Sequence, residues 1–185
     1  MGNHSFIGIP MSQNIKNSSE SIQKTYLLSK YYKNIVHIED FHMTLLFLGS
    51  WDPEKRVKLW KTLETKLSLF HSFSMTFSAI HYFGSSLKPR VFYLEPQKND
   101  QLVTLQSIIQ HEAEEQGFPV ENRPYRPHVT LAKKWKDSQV NIENKWSFPM
   151  KIEETEQIVE QICLYNVRPN QKPMYEKIST IQLAK

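Results

Sequence analysis

The sequence predicts a mixed fold of strands and helices, arranged as two similar lobes with a groove between them. Stretches with strand-like alternation of apolar and polar residues are separated by stretches of helical periodicity. The order strand, helix, strand also occurs twice, over residues 4–49 and 90–133, and each copy ends in the motif His-x-Thr-Leu. A repeat of this length indicates a duplicated unit, since solenoid repeats are much shorter. We expect residues 1–185 to form one bilobal domain.

The first copy opens with a strand over residues 4–11. Ser12 is a suitable N-cap for a helix that fades near Lys33 and has an apolar side made of Ile15, Ile22 and Tyr26. The first motif strand follows at about residues 41–48 and stops at Gly49.

Between the copies, Asp52 followed by Pro53 is a typical helix start. The apolar stripe of this helix consists of Val57, Trp60, Leu63 and Leu67. A strand at residues 73–83 leads through a turn into another at residues 90–96, which begins the second copy.

In the second copy, Asn99 or Asp100 caps a helix that stops at Gly117. Its buried face consists of Leu102, Leu105, Ile109 and Ala113. The second motif strand spans about residues 127–133. Polar residues 137–155 predict a loop with a short element, and residues 157–167 and 175–183 predict a closing hairpin.

The composition is that of an ordinary globular protein, with 39% hydrophobic and 23% charged residues. A net charge of +4 permits an anionic substrate. No apolar run is long enough to span a bilayer, and no secretion leader is apparent. Cys163 is the only cysteine, so no internal disulfide can form. We expect a cytoplasmic monomer without a membrane partner.

The two histidine motifs are His42-x-Thr44-Leu45 and His128-x-Thr130-Leu131. Random placement of the chain's histidine, threonine and leucine residues would give roughly 0.03 matches to this pattern. In a strand, residues i and i+2 share a face, so each histidine shares its face with its own threonine. The opposite face enters the core and is predicted to consist of Met43, Leu45, Phe47, Val129 and Leu131.

Two imidazoles beside two hydroxyl groups suit acid–base cleavage of a phosphodiester. One ring removes a proton from the attacking oxygen and the other delivers one to the leaving oxygen. The hydroxyl groups of Thr44 and Thr130 can donate hydrogen bonds to the phosphate oxygens. A zinc site is the competing interpretation, but the sequence has no His-Glu-x-x-His motif and no cysteine cluster. We expect no metal and no cofactor.

The words "HMTLLFLG" and "RPHVTLAK" resemble the two-histidine phosphoesterase superfamily, and within it the bacterial RNA 2′,3′-cyclic phosphodiesterases once called 2′-5′ RNA ligases. Weaker similarity covers "FIGIP", "FGSSLKPRVFYL" and "ICLYNVRPNQKPMYEKISTIQL". The resemblance implies an α+β fold whose two pseudo-symmetric lobes carry antiparallel sheets around a central cleft, with helices on the outside.

The resemblance also implies metal-independent opening of RNA 2′,3′-cyclic phosphate ends to 2′-phosphates, with weak reverse 2′-5′ ligation. His42 and His128 would be catalytic, and Thr44 and Thr130 would bind phosphate. We predict His128 as the base and His42 as the acid, an order that reverses if the product is the 3′-phosphate. Tyr175 matches a recurring position of the family.

Further binding residues follow from position in the sequence. Arg126 stands two residues before His128 and would share its face, which suits a phosphate contact. Phe83, beside Tyr82, is a candidate for stacking on a terminal base. The basic residues Lys88, Arg90, Lys133, Lys134 and Lys136 would form a margin for an RNA backbone.

Two other functions stay open at this point. The same chemistry suits a small cyclic phosphate or cyclic nucleotide in place of an RNA end. A third hypothesis is an RNA- or nucleotide-binding module without turnover, although both motifs are intact.

Overall fold

The structure is a computed structural model that describes residues 4–50, 52–119, 123–136 and 146–185. Strands and helices alternate along these ranges. The strands are β1 (His4–Pro10), β2 (Tyr32–Ile35), β3 (His42–Ser50), β4 (Phe73–Gly84), β5 (Pro89–Pro96), β6 (Val129–Trp135), β7 (Met150–Val159), β8 (Gln161–Val167) and β9 (Tyr175–Gln182). The helices are α1 (Gln13–Thr25), α2 (Leu28–Tyr31), α3 (Pro53–Leu67) and α4 (Asp100–Glu115), with a 3₁₀ turn at Ile38–Asp40.

The strands form one antiparallel sheet in the order β7-β4-β5-β6-β3-β1-β8-β9, with β2 paired to β6. Its two halves repeat the same arrangement, because β1, α1 and β3 in one half correspond to β5, α4 and β6 in the other. The halves meet where β3 and β6 pair through Met43 and Val129. The predicted α+β fold with a duplicated unit is confirmed, and the two antiparallel sheets are joined into one.

One face of the sheet is covered by the long helices and contains the main core. The apolar residues between the motif histidines and threonines point there, and Met43 and Val129 are fully buried. The helix starts follow the sequence signals, since the side chains of Ser12, Asp52 and Asn99 each accept a hydrogen bond from the first turn of their helix. We call the opposite side of the sheet, which carries His42 and Thr44, the open face.

The first helix is shorter than predicted. It ends at Thr25, and Leu27 adopts a left-handed conformation with φ 50° that separates α1 from the single turn of α2. The chain then forms the short strand β2, in which Tyr32 is 1% exposed and packs against Phe92 and Trp135. Burial of this ring therefore overrides the helical pattern.

The predicted strand at residues 157–167 is wrong, because the chain passes from one half of the sheet to the other at Glu160. The preceding strand β7 pairs with β4, whereas β8 pairs with β1 and β9. Residues 150–155, expected to lie in a loop, belong to β7, and residues 137–145 lie outside the described ranges. The closing hairpin of β8 and β9 is confirmed.

Two predicted core residues are exposed. Val57 on α3 is 52% exposed, so that helix buries a narrower stripe than predicted. Phe47 is 53% exposed because β3 contains a β-bulge: Gly8 pairs with Thr44, but its neighbour Ile7 pairs with Leu46. The extra residue shifts the alternation by one position, which moves Phe47 to the open face.

Candidate active site

The two motif histidines lie at the junction between the halves of the sheet. His42 is the first residue of β3, and His128 immediately precedes β6. The neighbours that follow them, Met43 and Val129, form the residue pair that joins the two strands. Because this pairing is antiparallel, His42 lies beside Thr130 and His128 lies beside Thr44, so the sheet brings both motifs into one site.

Both rings are oriented by the same hydrogen bond. Nδ1 of His42 lies 2.7 Å from the carbonyl oxygen of Asp40, and Nδ1 of His128 lies 2.7 Å from the carbonyl oxygen of Arg126. A carbonyl oxygen only accepts, so Nδ1 is the protonated nitrogen of each ring. The Nε2 atoms therefore carry the lone pair when the rings are neutral, and Nε2 of His42 lies 3.2 Å from Oγ1 of Thr44.

Aromatic side chains surround both imidazoles. The ring of His42 lies 4.5 Å from Phe6 and 4.7 Å from Tyr175, measured between centroids. On the other side of the junction, His128 meets the edge or face of Phe83 at 5.0 Å and Tyr93 at 5.3 Å. These contacts fix both rings and keep much of the water away from them.

Burial has an electrostatic consequence for both rings. It lowers the pKa of His42 to about 4, against a smaller raising effect from the carbonyl and charge of Asp40. The positive charges of His128 and Lys133 lower the pKa of His42 further. Burial also lowers the pKa of His128. In the free protein both rings are therefore neutral at pH 7.

A β-bulge occurs at the same position of both motifs. In β6, Thr130 pairs with Tyr93 while Ala132 pairs with Phe92, which leaves Leu131 as the extra residue, as Leu45 is in β3. The bulge turns the third residue after each threonine to the open face. This residue is Phe47 in one motif and Lys133 in the other.

Two buried glutamines donate hydrogen bonds to the main-chain carbonyl groups of the bulge residues, Leu131 and Leu45. The carbonyl of Leu131 also accepts from the main-chain N–H of Val36 at 3.1 Å. Gln23 of α1 donates from Nε2 to the carbonyl of Leu131 at 2.8 Å and to that of Val36 at 2.9 Å. Gln106 of α4 donates to the carbonyl of Leu45 at 3.5 Å. Each glutamine thus donates a hydrogen bond to the motif strand of the other copy, where the acceptor is a buried main-chain carbonyl.

Asp40 connects His42 to the start of β9. Its side chain is buried at 6% exposure and accepts from the main-chain N–H of Met174 at 2.9 Å and of Tyr175 at 3.0 Å. Its main-chain carbonyl holds the His42 ring. One residue therefore positions both the imidazole and the tyrosine that packs on it.

The other predicted binding residues differ in where they lie. Phe83 and Tyr175 each contact a motif histidine. Arg126 is exposed, and its charge acts on Tyr93 at the edge of the site. Lys133, expected in a basic margin, lies on the open face close enough to act on His42.

Sequence reasoning missed the residues that support the site from outside the motifs. Besides Asp40 and the glutamines, Tyr125 supports the site. Its hydroxyl donates to the carbonyl of Thr44 at 3.0 Å and so links the segment before the second motif to strand β3. The only available signal was position, since Asp40 and Arg126 both stand two residues before a motif histidine. Nothing in the sequence marked Gln23 or Gln106.

Over the described ranges, no three histidine, cysteine, aspartate or glutamate side chains cluster closely enough to hold a metal ion. The helices within those ranges are too short or too polar to cross a membrane.

A family model and two curated relatives that resemble this chain indicate the same group of proteins. Residues 12–168 match the model of the 2′-5′ RNA ligase superfamily. The chain is 36% identical to the RNA 2′,3′-cyclic phosphodiesterase of Bacillus subtilis (strain 168), over 98% of this chain and 97% of that protein. It is 28% identical to the protein of the same name from Geobacillus stearothermophilus, over 97% of this chain and 57% of that protein.

Solved structures support the same fold. The structure of E. coli LigT complexed with 3′-AMP superposes with a TM-score of 0.83 at 20% sequence identity, with all of both chains covered. This likeness concerns the fold, and the family match over residues 12–168 together with the 36% identity to the B. subtilis protein shows that the chain belongs to the 2′-5′ RNA ligase superfamily.

Proposed function

We propose that the protein hydrolyses the 2′,3′-cyclic phosphate at the end of an RNA strand and leaves a 2′-phosphate. The observation that carries this proposal is the pair of equivalent imidazoles, each with its Nδ1–H bound to its own backbone and its Nε2 available. Two such rings beside two threonine hydroxyls supply what phosphodiester hydrolysis requires, namely a base, an acid and donors to the phosphate.

In the proposed reaction, the Nε2 lone pair of one ring takes a proton from water as the water oxygen attacks phosphorus. The bond between phosphorus and the 3′ oxygen breaks, and the other ring, protonated on Nε2, gives its proton to that oxygen. The hydroxyls of Thr44 and Thr130 donate to the non-bridging oxygens, where negative charge increases in the transition state. The order with His128 as base and His42 as acid stays a prediction.

The negative charge of the bound substrate allows one imidazole to be protonated and so to act as the acid. Both rings are neutral in the free protein because burial lowers their pKa. A phosphodiester anion bound between them raises the pKa of a neighbouring imidazole, since an opposite charge stabilises the protonated ring. The proton therefore enters with or after the substrate, and the aromatic side chains Phe6 and Phe83 limit exchange with water.

The relatives support this choice of substrate. The proteins from B. subtilis and G. stearothermophilus are both named RNA 2′,3′-cyclic phosphodiesterase, and the first aligns over nearly its whole length. We also propose that residues 1–185 act as one catalytic unit, and that Arg126, Phe83 and Tyr175 contact the substrate. A cytoplasmic location and a monomeric state are further predictions.

The test is hydrolysis of an oligoribonucleotide with a 2′,3′-cyclic end in the presence of EDTA, with the phosphate position in the product determined. We expect a 2′-phosphate from the wild type and a loss of about 10²- to 10⁴-fold in kcat for His42→Ala and for His128→Ala. His111→Ala, on the exposed side of α4, serves as the matched control and should keep full activity.

Other outcomes would redirect the proposal. Full activity in either motif variant would rule out the paired-histidine mechanism. Faster turnover of a small cyclic nucleotide than of any oligonucleotide would assign the site to small cyclic phosphates. Tight binding of the cyclic end with no product over hours would indicate a binding module.

A further inference from the structure

A cavity of about 510 Å³ lies beside His42 on the side away from His128. Tyr165 and Tyr175 line it, and the same two rings contact the His42 imidazole at 5.9 and 4.7 Å between centroids. Pro10, the residue paired with His42 across β1 and β3, is also part of the lining. The cavity and the catalytic ring therefore share a wall.

Strand pairing places this cavity on the open face. Tyr165 pairs with Phe6 on β1 and with Lys177 on β9, and Phe6 packs against His42. Gln161 lies four residues before Tyr165 on β8, so alternation brings its side chain to the same face. Lys177 and Gln161 both line the cavity.

The lining has the chemistry of a nucleotide site. The partly exposed ring of Tyr175 offers a surface on which a base can stack, whereas Tyr165 is buried and stacks on Phe6 beneath it. The exposed Lys177 offers a cation for a phosphate, and Gln161 offers both a donor and an acceptor. Lys16 also reaches the cavity but is paired with Glu39 at 2.6 Å, so it adds little free charge. The volume lies within the range of small-molecule sites.

We infer that this cavity binds the nucleotide on the 5′ side of the one that carries the cyclic phosphate. This inference rests on the proposed function, because it assumes a cyclic phosphate between His42 and His128. The RNA chain on the 5′ side of such a phosphate must leave the site along the open face of the sheet. Past Tyr175 it meets a half-open cavity whose lining offers an aromatic ring and the exposed ammonium group of Lys177, with the carboxylate of Glu160 beside them.

The inference predicts that the protein prefers an RNA strand to a mononucleotide as substrate. A mononucleotide 2′,3′-cyclic phosphate fills the catalytic centre but leaves the cavity empty. A dinucleotide with the same end fills both, and its second base and the linking phosphate contact Tyr175 and Lys177. One additional stacked base is worth about tenfold in binding.

The experiment compares kcat/KM for a mononucleotide 2′,3′-cyclic phosphate with that for a dinucleotide carrying the same end. We expect the dinucleotide to be favoured about tenfold or more by the wild type. Lys177→Ala, which removes the cation, and Gln161→Phe, which fills the space, should lower this ratio towards one. Lys172→Ala removes an equal charge from the same hairpin without lining the cavity, and it should keep the ratio.

A second measurement separates binding from catalysis. Calorimetric titration with a mononucleotide and a dinucleotide 2′-phosphate should show the same preference in the wild type and its loss in Lys177→Ala and Gln161→Phe. Equal kcat/KM for both substrates, or variants that keep the wild-type ratio, would overturn the cavity assignment and leave the proposed function standing. Failure of the wild type to hydrolyse either substrate would overturn the proposed function and this inference with it.

Discussion

The main-chain carbonyl of Asp40 accepts a hydrogen bond from Nδ1 of His42 at 2.7 Å, while the carboxylate of the same residue holds the first N–H groups of β9. The corresponding residue of the second motif, Arg126, repeats the carbonyl contact at the same distance but leaves its side chain exposed. The backbone thus orients both rings alike, and only one half adds a buried negative charge near its ring. This difference can be tested by substitution.

Asp40→Asn should weaken both the fold and the activity. An amide keeps one acceptor oxygen but turns an N–H₂ group towards a main-chain N–H, so we expect the free energy of unfolding to fall by about 1–3 kcal/mol. The lost charge had raised the pKa of His42, so the limb of the pH profile that this ring controls should move to lower pH. Denaturant unfolding and kcat/KM against pH measure the two effects.

The matched control for that substitution is an aspartate that serves no buried group. Asp52 itself acts on the charge of the buried Arg56, so the exposed Asp100 of α4 is the better choice: Asp100→Asn should retain both stability and the pH profile. An Asp40→Asn protein with wild-type stability and an unmoved profile would contradict the role given to Asp40.

The pH dependence of kcat/KM should have its maximum on the acid side of pH 6.5. Catalysis needs one ring protonated and the other neutral, and this state is most populated between the two pKa values. Burial lowers the pKa of His42 to about 4 and also lowers that of His128, so both limbs move to lower pH. Initial rates between pH 4 and 9 with a cyclic-ended dinucleotide measure the profile, and a maximum at or above pH 8 would be inconsistent with it.

Thr44→Val and Thr130→Val should each lower kcat by about 10- to 1000-fold, because one donor to the phosphate is lost while the side-chain shape is kept. Thr44→Ser and Thr130→Ser keep the hydroxyl and should retain most activity. Thr104→Val, on the exposed side of α4, is the control. If valine and serine variants were equally active, the hydroxyl groups would have no part in the reaction.

Gln23→Met should destabilise the protein by about 1–3 kcal/mol, because it removes two side-chain hydrogen bonds, to the carbonyls of Leu131 and Val36, and leaves the Leu131 carbonyl with the main-chain N–H of Val36 as donor. Gln13→Met, at the exposed start of the same helix, should change stability by less than about 0.5 kcal/mol. Chemical denaturation of both variants provides the comparison. Equal stability of the two would show that the carbonyl of Leu131 needs no side-chain donor beside the main-chain N–H of Val36.

The motif strands and the helix starts could be predicted from the sequence, because they depend on local periodicity and on the repeat. Two copies of His-x-Thr-Leu led to the motif strands, and capping residues such as Asp52 and Asn99 led to the helix starts. Bulges have no periodic signal of their own, which is why Phe47 was placed in the core. The passage of the chain between halves was marked only by the polar pair Glu160-Gln161, and the support from Asp40 and Gln23 depends on residues more than 100 positions away.

Gln23 and Gln106 each donate a hydrogen bond to the opposite copy of the repeat, which has a consequence for cutting the chain into two fragments. Each copy of the repeat carries a side-chain donor to the bulge of the other copy, so each half loses a buried hydrogen bond when it stands alone. A half-length chain would regain that bond only by associating with a second half, and each of the two subunits would then contribute one imidazole. Fragments cut between β4 and β5 should accordingly regain activity when mixed and have none apart.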